Sequence, residues 1–510
     1  MKKTSSRSRN STRSTKAKTT STGTTKTTVA STPTQVIPTK LLPFTLSSPT
    51  TSAEWLDEPP LTFASGGSAT DPKVGIPLYG PRSLGTSRHK KEIHIGFIGT
   101  SETVEKARAL YTRCSAGIDG GVDSHPFPGC TLDQGFRCTL ATDLSEVIRQ
   151  HEYDQIINVR RKREKFETLL GVLEQKMYLI TGRDHPLDYV VVSLPDELFR
   201  KCRSVEYVDK GIGRVYRNLR RSFKAAAMRF DMPTQILLEN TIDTFGTDKT
   251  TVAPAQIAWN LFTGMYFKVE GLPWGPSGLT AGTCYIGISF FRPLGDSSSL
   301  RTSVVQAFDE NGQGLVLRGH KFMWDEEKYG KSPHLPADQA KQLIEMVLEQ
   351  YKLENGGRLP RRVVIHKTSR FEPDEHDGFR EALRQVSEID LVSLTPVSDV
   401  RLLRIGRYPP LRGTVFHAGD VSYCYTSGYL LGRGYPHGHV PSALQIADHK
   451  GDTARTELLR EVLVLTKMNW NSANMFGLMP ITLRFSRLVG DILREVPESV
   501  VPKAKYKFYM

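Results

Sequence analysis

Residues 217–240 read RNLRRSFKAAAMRFDMPTQILLEN, a basic helical pattern that runs through a proline turn into a short apolar strand. Arg217, Arg220, Arg221 and Lys224 stand three and four residues apart, so they share or border one face of a helix expected over 214–230. Pro233 ends the helix, and Gln235 opens the strand Gln235–Leu238. Upstream, KEIHIGFIGT (91–100) gives a strand at Ile93–Ile98, a Gly-Thr-Ser turn and a helix from Glu102 to Cys114. Asp188–Leu194 is a further strand, and 254–268 a further helix that ends on Lys268. Strands alternating with helices predict a largely parallel, Rossmann-like sheet. Such a sheet brings strand ends and helix termini around one crevice, where Arg220, Lys224 and Lys268 would supply charge and Gln235 a directed amide for an anion. By spacing alone, a solvated basic helix beside a strand is the commoner explanation of such a run.

The pattern changes after Gly275. CYIGISFF (284–291), TSVVQAF (302–308) and GLVLR (314–318) read as consecutive strands, with turn chemistry in Asp309-Glu310-Asn311-Gly312. A helix near 337–353, a buried strand at 362–366 and a helix near 379–386 follow. Three antiparallel strands and then helix, strand, helix is the order of a ribonuclease H-like domain. The fold class is therefore α/β, with a Rossmann-like domain over 92–275 and a ribonuclease H-like domain over 276–510.

The ends of the chain are simpler. Residues 1–53 are Ser-, Thr- and Lys-rich with few aromatics and are expected to be a disordered basic tail. The Pro- and Gly-rich stretch 54–91 reads as an extended connector. Net charge is +14, but nine Lys and Arg and no acid lie in the first 53 residues, leaving +5 for 54–510. The folded part permits a phosphate-rich partner without demanding one. No apolar run is long enough to span a bilayer and no secretory signal is visible. Six cysteines without a CxxC pair fit reduced thiols of a cytoplasmic protein rather than a zinc site. His437 and His439 form an HxH pair near His449 in a Gly- and Pro-rich loop, where a plain loop is far commoner than a metal site.

Five motifs in order resemble the MID and PIWI domains of Argonaute proteins. Lys224, Gln235 and Lys268 fall where that family's MID domain places the Lys, Gln and final Lys that hold a guide's 5′-phosphate. WNLFTGMYFKVEGLPW (259–274) is similar to the region that follows, and Arg220 stands where the family has a tyrosine. YTSGYLLGRGYPHGHVPSALQI (425–446) and LTKMNWNSANMFGLMPITLRF (465–485) resemble PIWI segments. In some members the terminal carboxylate joins the phosphate pocket through a divalent cation, which here would involve Met510 and Mg²⁺. Ribonuclease H chemistry needs carboxylates around divalent ions. The resemblance puts Ser289, Thr368 and Arg487 at three of those positions, so no catalytic metal and no cutting are expected.

The likeness covers roughly 90–510 and leaves no room before the MID domain for the N-terminal and PAZ domains of a long Argonaute. It implies a short prokaryotic Argonaute that uses a small guide, commonly RNA, to recognise complementary single-stranded DNA. Its partner would be an APAZ-containing protein with a TIR, sirtuin-like or nuclease effector, activated in defence against plasmids or phage and in a higher oligomer. A guide-dependent nuclease with relocated acids, or a non-guided nucleic-acid-binding module, are the alternatives.

Overall fold

The computed structural model describes residues 51–510 apart from 122–123, 212, 248–251, 297, 308–313, 431–439 and 476. The HxH pair, the turn at 309–312 and the first fifty residues of the expected tail lie outside the described residues.

Two sheets organise the chain. In the first, the strands Glu92–Gly99, Tyr189–Leu194 and Thr234–Leu238 run parallel, with Tyr189–Leu194 in the middle. The middle strand, YVVVSL, is buried along its whole length. That is the continuous apolar run a parallel strand covered on both faces requires. Thr100 caps the following helix Ser101–Ser115 by accepting from the backbone N–H of Thr103. The expected strands and the helices Ser101–Ser115 and Pro254–Lys268 form here within a residue or two. Between them lies a twenty-residue helix, Lys162–Thr181, that packs against this sheet.

The second sheet has nine strands. Leu315–Met323, Ser299–Ala307 and Thr283–Phe291 form an antiparallel trio, and Arg362–Lys367 and Glu388–Val397 then continue parallel to Thr283–Phe291. The helix Ile481–Leu493 lies directly on this sheet. A Cβ at Gly287 would stand 2.2 Å from the Thr482 carbonyl oxygen, so only glycine permits the contact. The helix expected at 379–386 instead spans Pro373–Ala382, because Pro373 and the acids Asp374 and Glu375 supply a helix start. One core cluster runs through both halves, from Ile95 and Trp259 to Trp470, Phe485 and Met510.

The N-terminal segment differs from expectation. Thr51–Trp55 is a strand paired antiparallel with Thr414–Ala418, so the boundary expected at 53 falls inside it. Residues 54–91 are not an extended connector. They contain the helix Pro72–Tyr79, capped by Asp71, and they bury Leu61, Phe63 and Ile76 in the main core. Pro72 stands at the first helical position, and Pro77 lies inside this short helix. Glu58 fixes the segment. Its carboxylate lies 2.7 Å from Arg412 Nε and 2.9 Å from Lys467 Nζ, two buried cations of the second half.

Replacing Glu58 by Ala leaves both cations buried without an acid, which costs about 3–5 kcal/mol. The variant should unfold several degrees earlier by circular dichroism. An unchanged midpoint would show that this segment does not depend on the pair.

Candidate anion-binding site and the neighbouring strand ends

Three elements of the first sheet region converge on one small site. The helix Leu219–Ala227 starts at Asn218, whose side-chain oxygen accepts from the N–H groups of Arg220 (3.1 Å) and Arg221 (3.4 Å). The cap sets the helix phase: Leu219, Phe223 and Ala227 face inward, and Lys224 is carried in with them. Arg220, one turn earlier, remains exposed. The strand Thr234–Leu238 brings Thr234 and Gln235, and the helix Pro254–Lys268 ends on Lys268.

The contacts are specific. Lys224 Nζ donates to the Thr234 carbonyl at 2.5 Å and lies 3.3 Å from Thr234 Oγ1. Lys268 Nζ donates to Gln235 Oε1 at 2.6 Å, and Gln235 Nε2 donates to the Ile236 carbonyl at 2.9 Å. Both lysines are buried. Burial above all, and then the charges of Lys268 and Arg220, hold the Lys224 ammonium well below the usual lysine range. Burial and Arg220 bring Lys268 down to about 7.

The other basic residues of the opening motif go elsewhere. The stretch 214–218 is not helical: Gly213–Asn218 pairs antiparallel with Ser204–Asp209 in a two-stranded ribbon. Val215 and Tyr216 suit a strand, and Asn218 starts the helix after them. Arg217 consequently binds Glu167 (2.6 Å) and Glu495 (2.9 Å), and Arg221 binds Asp491 (2.8 Å). Arg220, Lys224, Gln235 and Lys268 remain together. Thr234, which the sequence reading passed over, receives Lys224; its place just after the proline turn was the available signal.

Met510 is buried, and the turn Tyr506–Phe508 just before it packs against the helix that ends on Lys268. The side chains of the site are two ammoniums, a guanidinium and an amide whose oxygen is already engaged. They suit an anion. A Mg²⁺ there would need oxygens from a bound phosphate or from the Met510 terminus.

Ser289 and Thr368 come together at the ends of two parallel strands. Gly287 pairs with His366 at the last position of the parallel ladder, and Ser289 and Thr368 follow two positions further on, Ser289 still paired with Ser303 on its other side. Thr368 is exposed and Ser289 half-buried. Arg487 stands on another face of the final helix from the residue that meets these strands. His366 Nδ1 lies 2.8 Å from Thr482 Oγ1, which together with the Gly287 contact makes Thr482 the residue of the final helix that meets these strands. Arg487 is five residues on, about 140° around the helix, and is exposed. Ser486, one turn from Thr482, is the buried residue that shares its face.

Beside these strand ends Lys367 forms a buried pair with Glu375, while His449 binds Asp390 (3.0 Å) nearer the start of the same strands, beside Arg362. Among the described residues no three His, Cys, Asp or Glu gather as a metal site would require. Trp470 is core: it stacks on Phe267 at 4.6 Å and donates to the Trp274 carbonyl. All six cysteines are free and buried. No described helix is long and apolar enough to cross a membrane.

No family model and no curated protein sequence matches the chain. Solved structures do. Clostridium butyricum Argonaute bound to a guide DNA and a 19-mer target DNA is similar with a TM-score of 0.61 at 15% identity, over 89% of this chain and 54% of that one. A. aeolicus Argonaute gives 0.55 at 15% identity, over 89% and 54%. Drosophila Piwi gives 0.56 at 12% identity, over 89% and 56%. The chain has the α/β fold of an Argonaute MID–PIWI unit, a Rossmann-like sheet followed by a ribonuclease H-like one, and spans about half the length of these structures.

The depressed Lys268 gives a signed pH dependence. Between about pH 7 and 10.5 the unfolded lysine holds its proton while the folded one has lost it, so stability should rise with pH across that window. Lys268→Met should flatten this rise in thermal midpoints measured from pH 6 to 10. At pH 6 the variant should be no less stable than the parent, since an apolar chain of similar volume replaces a buried charge. A parallel pair of profiles would place the Lys268 ammonium in solvent.

Proposed function

We propose that the chain is a short prokaryotic Argonaute that recognises DNA through a guide without cutting it. Arg220, Lys224, Gln235 and Lys268 hold the 5′-phosphate of a small guide, commonly RNA. The guide pairs with complementary single-stranded DNA. Recognition activates an APAZ-containing partner whose TIR, sirtuin-like or nuclease effector acts against plasmids or phage, with a higher oligomer forming on activation.

One observation carries this reading. Seven Lys or Arg side chains are buried among the described residues. Lys176, Arg362, Lys367, Arg412 and Lys467 each have a carboxylate partner, and no carboxylate pairs with Lys224 or Lys268. Buried charge without a counter-charge is costly, so a site that keeps two such lysines is built for an anion from outside. A terminal phosphate supplies up to two negative charges and several acceptor oxygens. It would raise both lysines back to their charged forms and draw in the exposed Arg220. Gln235 can turn its amide to a phosphate oxygen once the phosphate replaces it as the partner of Lys268.

Anchoring one guide end fixes the register, and base pairing then reads the sequence while the protein contacts only the backbone. Neutral hydroxyls at Ser289 and Thr368 ligate Mg²⁺ poorly. A bound target would then persist as a signal.

The test compares 5′-phosphorylated with 5′-hydroxyl guides on the purified chain. The phosphate should improve affinity about 10- to 100-fold, the scale of one or two hydrogen bonds to charged groups. Lys224→Glu and Lys268→Met should each abolish the preference. Equal affinity for both guides would refute the pocket. Target cleavage by the chain alone, with guide and Mg²⁺ or Mn²⁺, would refute the non-cutting part.

A further inference from the structure

The strand Glu388–Val397 runs parallel to Arg362–Lys367 and ends on the same side of the sheet as Ser289 and Thr368. Thr395 Oγ1 donates to the Thr368 carbonyl at 3.0 Å. The chain then leaves the sheet as SDVRLLRIGRYPPLRG, residues 398–413. Arg401, Arg404 and Arg407 recur at every third position and are exposed. Between them Leu403 is 83% exposed and Ile405 101%. Asp399 is the sole acid of the segment, and among the described residues none of these three arginines pairs with a carboxylate.

The loop is anchored at its root. The Tyr408 ring lies parallel to Tyr429, with centroids 4.5 Å apart and planes 3° apart. The Arg407 and Arg404 guanidiniums sit over these two rings at 5.9 and 5.8 Å. Arg401 donates to the carbonyls of Val397 (3.1 Å) and Val400 (2.9 Å), and the Leu402 N–H donates to Tyr425 Oη at 2.7 Å. A fixed base thus presents a tip, 403–407, that carries positive charge on both sides of two bare aliphatic side chains. Aliphatic groups this exposed contribute nothing to the core.

We propose that this tip is a second nucleic-acid contact, distinct from the lysine pocket. Arg404 and Arg407 take phosphates of a strand that passes the Ser289–Thr368 end of the sheet, and Leu403 and Ile405 press on its bases. Charge favours a polyanion: the guanidiniums are held on aromatic faces, and no acid among the described residues pairs with them. Apolar side chains flanked by basic ones also suit base steps, which take up aliphatic wedges. The proposal rests on the guide–target reading above.

The experiment uses the full chain loaded with a 5′-phosphorylated guide, titrated with complementary single-stranded DNA at several salt concentrations. Arg404→Gln/Arg407→Gln should lower target affinity at least tenfold and reduce the slope of log affinity against log salt by about 1.5, the share of two phosphates. Ile405→Ser should weaken binding with the slope unchanged. Arg358→Gln/Arg361→Gln, which removes the same charge at the opposite end of the Arg362–Lys367 strand, should change neither. Guide binding and its 5′-phosphate preference should survive in every variant. Parental affinity and slope in the 404/407 variant would overturn the proposal, as would a defect seen only in binding a protein partner. A parent without 5′-phosphate preference, whose DNA affinity still falls in the 404/407 variant, would refute the guide pocket and leave this contact standing.

Discussion

Lys224 and Lys268 lie inside the protein, paired with no carboxylate among the described residues, and much of the first sheet region is arranged around that constraint. An ammonium taken out of water costs several kcal/mol unless something compensates it. Here compensation is partial. Lys224 has the Thr234 carbonyl, Lys268 has the Gln235 amide oxygen, and both lose basicity. Each device needs its own element in place: the Asn218 cap phases one helix, the proline turn sets the strand start, and the other helix ends on its last lysine. Changing any of them would leave an ammonium buried without an acceptor.

The remaining buried cations follow the opposite rule. Glu58 serves Arg412 and Lys467, Asp390 and Glu461 serve Arg362, and Glu375 serves Lys367. These pairs tie distant segments: Glu58 fastens the N-terminal segment to the second half, and Glu461 joins a helix to a central strand. The contrast sets cations that hold the fold together, each with its acid inside the chain, apart from Lys224 and Lys268, which the proposed reading leaves to a ligand's charge. The same comparison applies at the strand ends. Lys367 is paired with Glu375, and the carboxylates of Glu372 and Asp448 lie close enough to act on it as well.

Much of this was legible in the sequence, and the failures have physical causes. Parallel strands buried on both faces are continuous apolar runs, and YVVVSL and CYIGISFF announce themselves. Pro254–Lys268 begins at a proline and matches its expected bounds. Gly213–Asn218 was misread because its arginines also fit a helical spacing, and of its inward positions only Val215 is apolar, the next being Arg217. Thr51–Trp55 was misread because an exposed edge strand carries no apolar signal. Residues 54–91 looked like a connector because proline and glycine content reports turns, while Leu61, Phe63 and Ile76, which bind the segment to the core, are scattered singly.

The site itself divides along the same line. Arg220 and Lys224 could be read one turn apart because helical periodicity sets their relation, whereas Gln235 and Lys268, on other elements, were joined to them by the family resemblance. Arg487 could not be placed, because which face of the final helix meets the sheet depends on a contact remote in sequence, Gly287 against Thr482. That contact makes Thr482 and Ser486 the inward residues. Both are hydroxyls, as are Ser289 and Thr368, so replacing the misplaced arginine does not supply a carboxylate. The proposed absence of cutting therefore leans on the hydroxyls of Ser289 and Thr368, and Arg487 carries none of it.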